Sequence, residues 1–201
     1  MQPKTAQTSE DSFLVEQCRR GDSAALERLI VRYHSRIYNT ILRICTNADD
    51  AAELTQETFV KVIENISDFE GRSGFYTWVF RIAVNLTLNY RQRGSRLAFR
   101  SLDAENDEEN EQAKGALKAV LSSDDLPDPA AVAANKELCQ IVLKALKKLD
   151  DAQRAVIVLR DIEGMNYAQI GEVLKIELGT VKSRISRARN SLREILGAIV
   201  Q

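Results

Sequence analysis

Apolar residues recur along this chain at the three- and four-residue steps of a helix, and no stretch alternates with the two-residue step of a strand. Leu26, Leu29, Ile30, Tyr33, Ile37, Ile41 and Ile44 mark one face of a long helix that Asp22 or Ser23 can cap. A short helix from Asp11 to Arg19, ending near Gly21, is expected before it. Asn47 to Asp50 offers another cap, and Asp49, Asp50 and Glu53 suit the positive end of a helix running to about Asn65. The stretch ISDFEGRSG gathers Ser, Asp and two glycines and reads as a loop. A further helix, FYTWVFRIAVNLTLNYRQRG, covers Phe75 to Gly94.

Periodicity then lapses between residues 94 and 130. SLDAENDEENEQ is acidic and ring-free and SSDDLPDP adds prolines, so a mobile acidic linker is expected there. From Ala131 the helical pattern returns at Leu138, Ile141, Val142, Leu146 and Leu149, and continues through Ala155, Val156, Leu159 and Ile162. The expected fold is all-α: two small helical domains, residues 10–93 and 131–197, joined by the linker.

Composition agrees with this architecture, because only three prolines and nine glycines interrupt 201 residues. MQPKTAQTSEDS lacks the apolar core of a signal peptide, and no apolar run approaches the roughly 20 residues that span a bilayer. A cytoplasmic location without membrane insertion is therefore expected. Cys18, Cys45 and Cys139 lie far apart, form no CxxC pair, and read as buried free thiols.

Charge changes the picture once it is divided along the chain, because the formal net of −1 conceals alternating blocks. Residues 46–65 carry five acids and one lysine, net −4, and residues 71–100 carry six arginines and no acid. Residues 101–128 hold nine acids and two lysines, net −7; residues 175–193 hold six bases and one acid, net +5. Two basic blocks are candidate nucleic-acid surfaces.

The second of these, MNYAQIGEVLKIELGTVKSRISRARNSL, has the layout of a helix-turn-helix. Asn166 can cap a first helix with Gln169 as capping-box partner, and Tyr167, Ile170 and Leu174 give it an inner face. A tight connection at Lys175–Glu177 leads to a helix from about Leu178, whose start lacks a side-chain acceptor at Ile176. Val181, Ile185, Ala188 and Leu192 share one face of that helix; Lys182, Ser183, Ser186, Arg187 and Asn190 share the opposite one. Such a face can hydrogen-bond base edges and pair with phosphates in a major groove. A basic amphipathic helix that is only solvated, or that packs on a protein partner, is the alternative.

The helix from Phe75 crowds five of the chain's twelve aromatic residues and is followed by arginines. Phe75, Trp78, Val79, Ile82, Ala83, Leu86 and Tyr90 form a wide apolar face, with Trp78 read as core. Tyr76 and Phe80 fall outside it, beside a polar row of Thr77, Arg81 and Asn85. Rings to stack on, an amide to read base edges and arginines for the backbone are what single-stranded nucleic acid requires. Burial of Tyr76 and Phe80 against a second helix is the competing reading.

With these residues in view, DFEGRSGFYTWVFRIAVN, preceded by DAAELTQETFVKV and followed far downstream by MNYAQIGEVLKIELGTVKSRISRAR, resembles a bacterial sigma factor of the extracytoplasmic-function group. The resemblance covers roughly residues 10–93 and 130–196. It implies two helical domains, σ2 and σ4, and a protein that binds core RNA polymerase through its β′ clamp helices and β flap, and promoter DNA. It also implies an anti-sigma factor as partner and requires no cofactor. Carried over by position, Glu53, Gln56 and Glu57 match the surface that grips the clamp helices. Lys61, Phe69, Phe80, Arg81 and Asn85 match the surface that handles the −10 element, where a flipped base is captured. Lys182, Ser183, Ser186, Arg187 and Asn190 match the −35 reader. Some relatives carry an aromatic ring at the position of Ser186 and an arginine at that of Lys182. Trp78 stands without the neighbouring tryptophan of housekeeping sigma factors, which implies less robust melting and stricter promoter choice.

Two other classes fit the sequence less well. His34, the only histidine, lies between Tyr33 and Ser35, so no triad or histidine metal site can be assembled, and no GxxxxGK[ST] occurs. An enzyme is thus disfavoured. A stand-alone helix-turn-helix regulator is the stronger rival, but it has no use for the aromatic helix.

Overall fold

In the computed structural model residues 4–100 and 141–200 are described, and every regular element among them is helical. The linker from residue 101 onward, with Leu138 and Cys139, lies outside the described residues. Helix α1, Lys4–Arg19, starts earlier than the expected Asp11; its first turns are polar and carry no apolar periodicity to announce them. Gly21 turns the chain at φ +88°, and Asp22 then accepts the Ala24 and Ala25 N–H groups at 2.9 and 3.2 Å to start α2, Ser23–Cys45. Asn47 does the same for Asp49 and Asp50 at the head of α3, Ala48–Asn65.

Helix α4, Phe75–Arg100, runs past Gly94, where its end was expected. A single glycine costs a helix only about 1 kcal/mol, too little to stop it. Leu29, Ile37, Ile41 and Ile44 of α2 are fully buried with Val62 of α3 and Val79 and Ala83 of α4. Asp11 ties α1 to α2 by accepting from Arg32 at 2.7 Å and from the Tyr33 hydroxyl. His34 is exposed and stacks on Phe59, with ring centroids 5.9 Å apart. Cys18 and Cys45 are buried free thiols.

The second domain begins, among the described residues, with helical residues 141–147, here α5. Asp150 caps α6, Asp151–Ile157, by accepting the Gln153 N–H at 2.8 Å. A π-turn over Val158–Ile162 widens the end of α6, and the Glu163 N–H reaches back to the Val158 carbonyl at 2.9 Å. Helices α7, Tyr167–Leu174, and α8, Leu178–Val200, follow.

The two domains are docked. α7 packs on α4, and α6 with its π-turn packs on α2, so one apolar core runs through both domains. Arg154, 2% exposed, marks the junction: it donates to the carbonyls of Leu146, Lys147 and Leu149 and, across the boundary, to that of Ile44 at 2.7 Å. Burial pulls this guanidinium below its usual pKa, while Asp151 at 3.0 Å acts in the opposite sense.

Candidate nucleic-acid interface

The helix-turn-helix is assembled from local rules. Asn166 accepts the Gln169 N–H and Gln169 returns a side-chain bond to the Asn166 N–H, both at 2.9 Å, completing the capping box. Ile170 and Val173 are buried, whereas Tyr167 and Leu174 are only partly so. Lys175, left-handed at φ 54°, reverses the chain, and the Ile176 N–H bonds the Gly171 carbonyl at 3.0 Å. A Cβ on Gly171 would stand 2.9 Å from the Ile176 carbonyl oxygen, so the turn needs a residue without one.

On α8, Val181, Ile185 and Ala188 are buried, and Leu192 is partly buried. Lys182, Ser183, Ser186, Arg187 and Asn190 are all exposed, which gives a continuous polar row on the outer side. Within it Arg187 donates to the Ser183 carbonyl at 3.3 Å, and Asn190 accepts from Arg193 at 3.3 Å. Arg189, off this row, pairs with Asp161 of the π-turn and fastens α8 to α6.

The aromatic helix departs from the helical wheel. Phe80 is fully buried rather than lying beside the apolar face, because α4 packs on the first domain and on α7 as well. Tyr76 contacts Phe80 at 4.5 Å between centroids, and the Arg36 guanidinium lies over both rings at 4.7 and 5.9 Å. Phe69 is buried against Trp78 and Phe75, at 5.1 and 6.1 Å. Trp78 is core, as expected.

The polar row of α4 faces the second domain. Gln169 donates to Thr77 at 3.4 Å, Arg81 pairs with Glu172 at 3.5 Å, and Asn85 donates to the Val173 carbonyl at 3.3 Å. Phe80, Arg81 and Asn85 therefore come together on one stretch of α4, while Phe69 lies in the ring cluster beneath its start. Lys61 stands on α3 and pairs with Glu57 at 3.9 Å. Glu53, Gln56 and Glu57 form an exposed ridge on α3, beside the exposed Val60 and Ile63.

Sequence reasoning missed the network around Glu163, whose side chain is 4% exposed. Its carboxylate accepts from Arg36 at 2.6 Å and Thr40 at 2.8 Å, with Arg43 3.9 Å away, and the Tyr76 hydroxyl bonds the Glu163 carbonyl at 3.2 Å. Burial raises the Tyr76 pKa, and the Glu163 charge raises it further. For Arg36 burial acts to lower the pKa, and the hydrogen bond to Glu163 together with the charges of Tyr76, Glu163 and Tyr33 outweighs it, so the net shift is upward. An acid in RDIEGMN reads as an ordinary loop residue; only its place at the end of a strongly apolar run could have drawn notice.

Two families of known proteins match separate stretches of the chain. The family Sigma-70 region 2 matches residues 29–97, and Sigma-70, region 4 matches residues 139–192. The chain is 35% identical over 183 residues to the ECF RNA polymerase sigma-E factor of Escherichia coli (strain K12), covering 90% of this chain and 92% of that protein. It is 33% identical to the RNA polymerase sigma-H factor of Pseudomonas aeruginosa, over 96% of each. Among solved structures, CnrH in complex with the cytosolic domain of CnrY is similar at a TM-score of 0.66 and 26% identity, covering 94% of this chain and 98% of that one. The sigma factor RpoE of Bartonella quintana, solved with the anti-sigma factor NepR, shares the fold at a TM-score of 0.65 and 23% identity, covering 85% and 96%.

Proposed function

We propose, for a chain that belongs to the extracytoplasmic-function group of sigma-70 family sigma factors, the following division of labour between its surfaces. As a sigma factor it binds core RNA polymerase and directs promoter-specific transcription initiation. The ridge Glu53, Gln56 and Glu57 engages the β′ clamp helices. The polar row Lys182, Ser183, Ser186, Arg187 and Asn190 reads the −35 duplex. The α4 stretch Phe80, Arg81 and Asn85, with Lys61 and Phe69, handles the melted −10 strand. The protein performs no covalent chemistry of its own and works in the cytoplasm, where the polymerase is. An anti-sigma factor is its regulatory partner, in keeping with the complex formed by the similar RpoE.

The observation that carries this reading is the sorting of α8. Val181, Ile185 and Ala188 are turned inward, and Lys182, Ser183, Ser186, Arg187 and Asn190 form one uncovered row on a helix, the element a major groove admits. Transcription reconstituted from core enzyme, this protein and a −35/−10 promoter is the test. Tight binding to a duplex operator without polymerase, and no stimulation of the core enzyme, would favour a stand-alone regulator.

A further inference from the structure

The outer row of α8 can read bases only if the helix is held at one rotation about its own axis. A helix with its side chains is about 10–12 Å across, so a turn of about 10° carries a side-chain tip through about 1 Å. The usable range of donor–acceptor distances spans only about 0.5 Å. A small rotation is therefore enough to break the readout.

The apolar contacts of α8 do not fix that rotation by themselves. Val181, Ile185 and Ala188 are buried, but apolar contact is not directional. Ser183, Arg187 and Arg193 make their side-chain hydrogen bonds within the helix, to Thr180, Ser183 and Asn190. Arg189 instead reaches out of it. Its Nε donates to one oxygen of Asp161 at 3.1 Å and its Nη2 donates to the other, so guanidinium and carboxylate meet at two points. Both side chains are exposed, and an exposed ion pair adds little to stability. What a two-point contact supplies is direction.

Asp161 stands in the π-turn, and its neighbour Arg160 fixes that turn to the other helix of the motif. Arg160 donates to the Met165 carbonyl at 2.7 Å, and its guanidinium lies 5.0 Å from the centre of the Tyr167 ring at the head of α7. Consecutive residues of one turn thus hold α7 and α8, which indexes the recognition helix to the rest of the helix-turn-helix.

We propose that Asp161 is a positioning residue for promoter readout: through Arg189 it sets the rotation of α8, and so which base edges the outer row meets, without touching DNA itself. The proposal rests on the −35 assignment made above.

The test is transcription by core polymerase loaded with the full chain, on promoters that differ by single base pairs within the −35 element. Asp161→Asn keeps the shape and leaves an acceptor for at most one of the two bonds. Discrimination against one wrong base pair is ordinarily about five- to 150-fold, and in this variant the ratio is expected to fall about threefold. Arg189→Lys keeps the positive charge but has no planar fork, and is expected to lower the ratio in the same way. Its affinity for duplex of random sequence should stay at the wild-type value. Core binding and the melting midpoint should be unchanged in both variants, which a general loss of structure would not allow. An unchanged ratio in either variant would overturn the proposal. That includes the case in which Asp161→Asn binds every sequence more tightly, which would mark Arg189 as a phosphate contact that Asp161 withholds. If Arg187→Ala still shifts −35 preference in that case, the −35 assignment survives and only the positioning role falls; if it does not, both fall.

Discussion

Arg154 Nη1 donates to the carbonyl of Ile44 at 2.7 Å, so a cation of the second domain closes the C-terminal end of a helix in the first. The same guanidinium serves the carbonyls of Leu146, Lys147 and Leu149 at and just past the end of α5, which its planar fork of donors reaches together. Replacing it with Met would leave the buried carbonyls of Ile44, Leu146 and Leu149, and the partly buried one of Lys147, short of a donor. Since each buried unsatisfied group costs about 1–3 kcal/mol and part of the site can relax, a loss on the order of 3 kcal/mol is expected. Arg154→Lys should fall between the two. Denaturant unfolding followed by circular dichroism measures both, and a wild-type midpoint for the Met variant would show the arginine to be replaceable packing.

Arg187 and Asn85 should fail differently, because one stands on an exposed row and the other beneath α7. Arg187→Ala is expected to weaken closed-complex binding and shift preference within the −35 element, at about 1–3 kcal/mol for a lost base contact. An artificially premelted promoter should partly rescue it. Asn85→Ala is expected to keep −35 binding and to impair strand opening and −10 selectivity, by a comparable roughly 1–3 kcal/mol. Equal loss of duplex binding in both, with no rescue by premelting, would refute this separation.

Gly171→Ala tests the turn of the helix-turn-helix. Alanine favours a helix by up to about 1 kcal/mol, but forcing a methyl 2.9 Å from the Ile176 carbonyl typically costs about 1–3 kcal/mol. The clash is with backbone and cannot be relieved by a side-chain rotation, so the second effect should win. Weaker −35 duplex binding with unchanged binding to core polymerase is the expected result. Anisotropy with labelled duplex reads it.

Stability should decline in alkali. Burial pushes the Cys45 thiol from its ordinary 9.0 up to about 11, so the folded form holds this proton more tightly than the unfolded form. A raised pKa stabilises fully below the unfolded value and loses its effect as pH climbs through the folded one. Tyr33 and Tyr76 are raised from 10.0 in the same sense, chiefly by burial, with Asp11 and Glu163 adding to it. The melting temperature should therefore hold to about pH 9 and fall beyond it, and Cys45→Ala should flatten the part between 9 and 11. An identical slope in the variant would assign the decline to the tyrosines and to Cys18, whose thiol burial also raises.

The helices of both domains were legible because their signals are short-range. Asp22, Asn47 and Asn166 carry acceptors that reach the N–H groups two or three residues on, and the apolar spacing of α2 needs one buried face. The docking was not legible. Arg36 meets Glu163 across 127 positions of sequence, and neither residue departs from what a solvated surface would hold. The same omission misplaced Phe80, since a wheel drawn for one buried face cannot represent a helix packed on two sides. The outer row of α8 was found from spacing alone, because nothing covers it.

The contacts between the domains are made within one chain, and this has a consequence for dosage. An inhibitor carried on a separate molecule is titrated away when its target is overproduced. A contact inside one molecule is indifferent to how many copies surround it, so the docked fraction is the same in a dilute and a crowded cell. Only something that binds the open form better can draw it out, and that pull grows with the concentration of the binder. More copies of the chain would therefore raise docked and open protein in the same proportion, and only a binder of the open form would change the ratio.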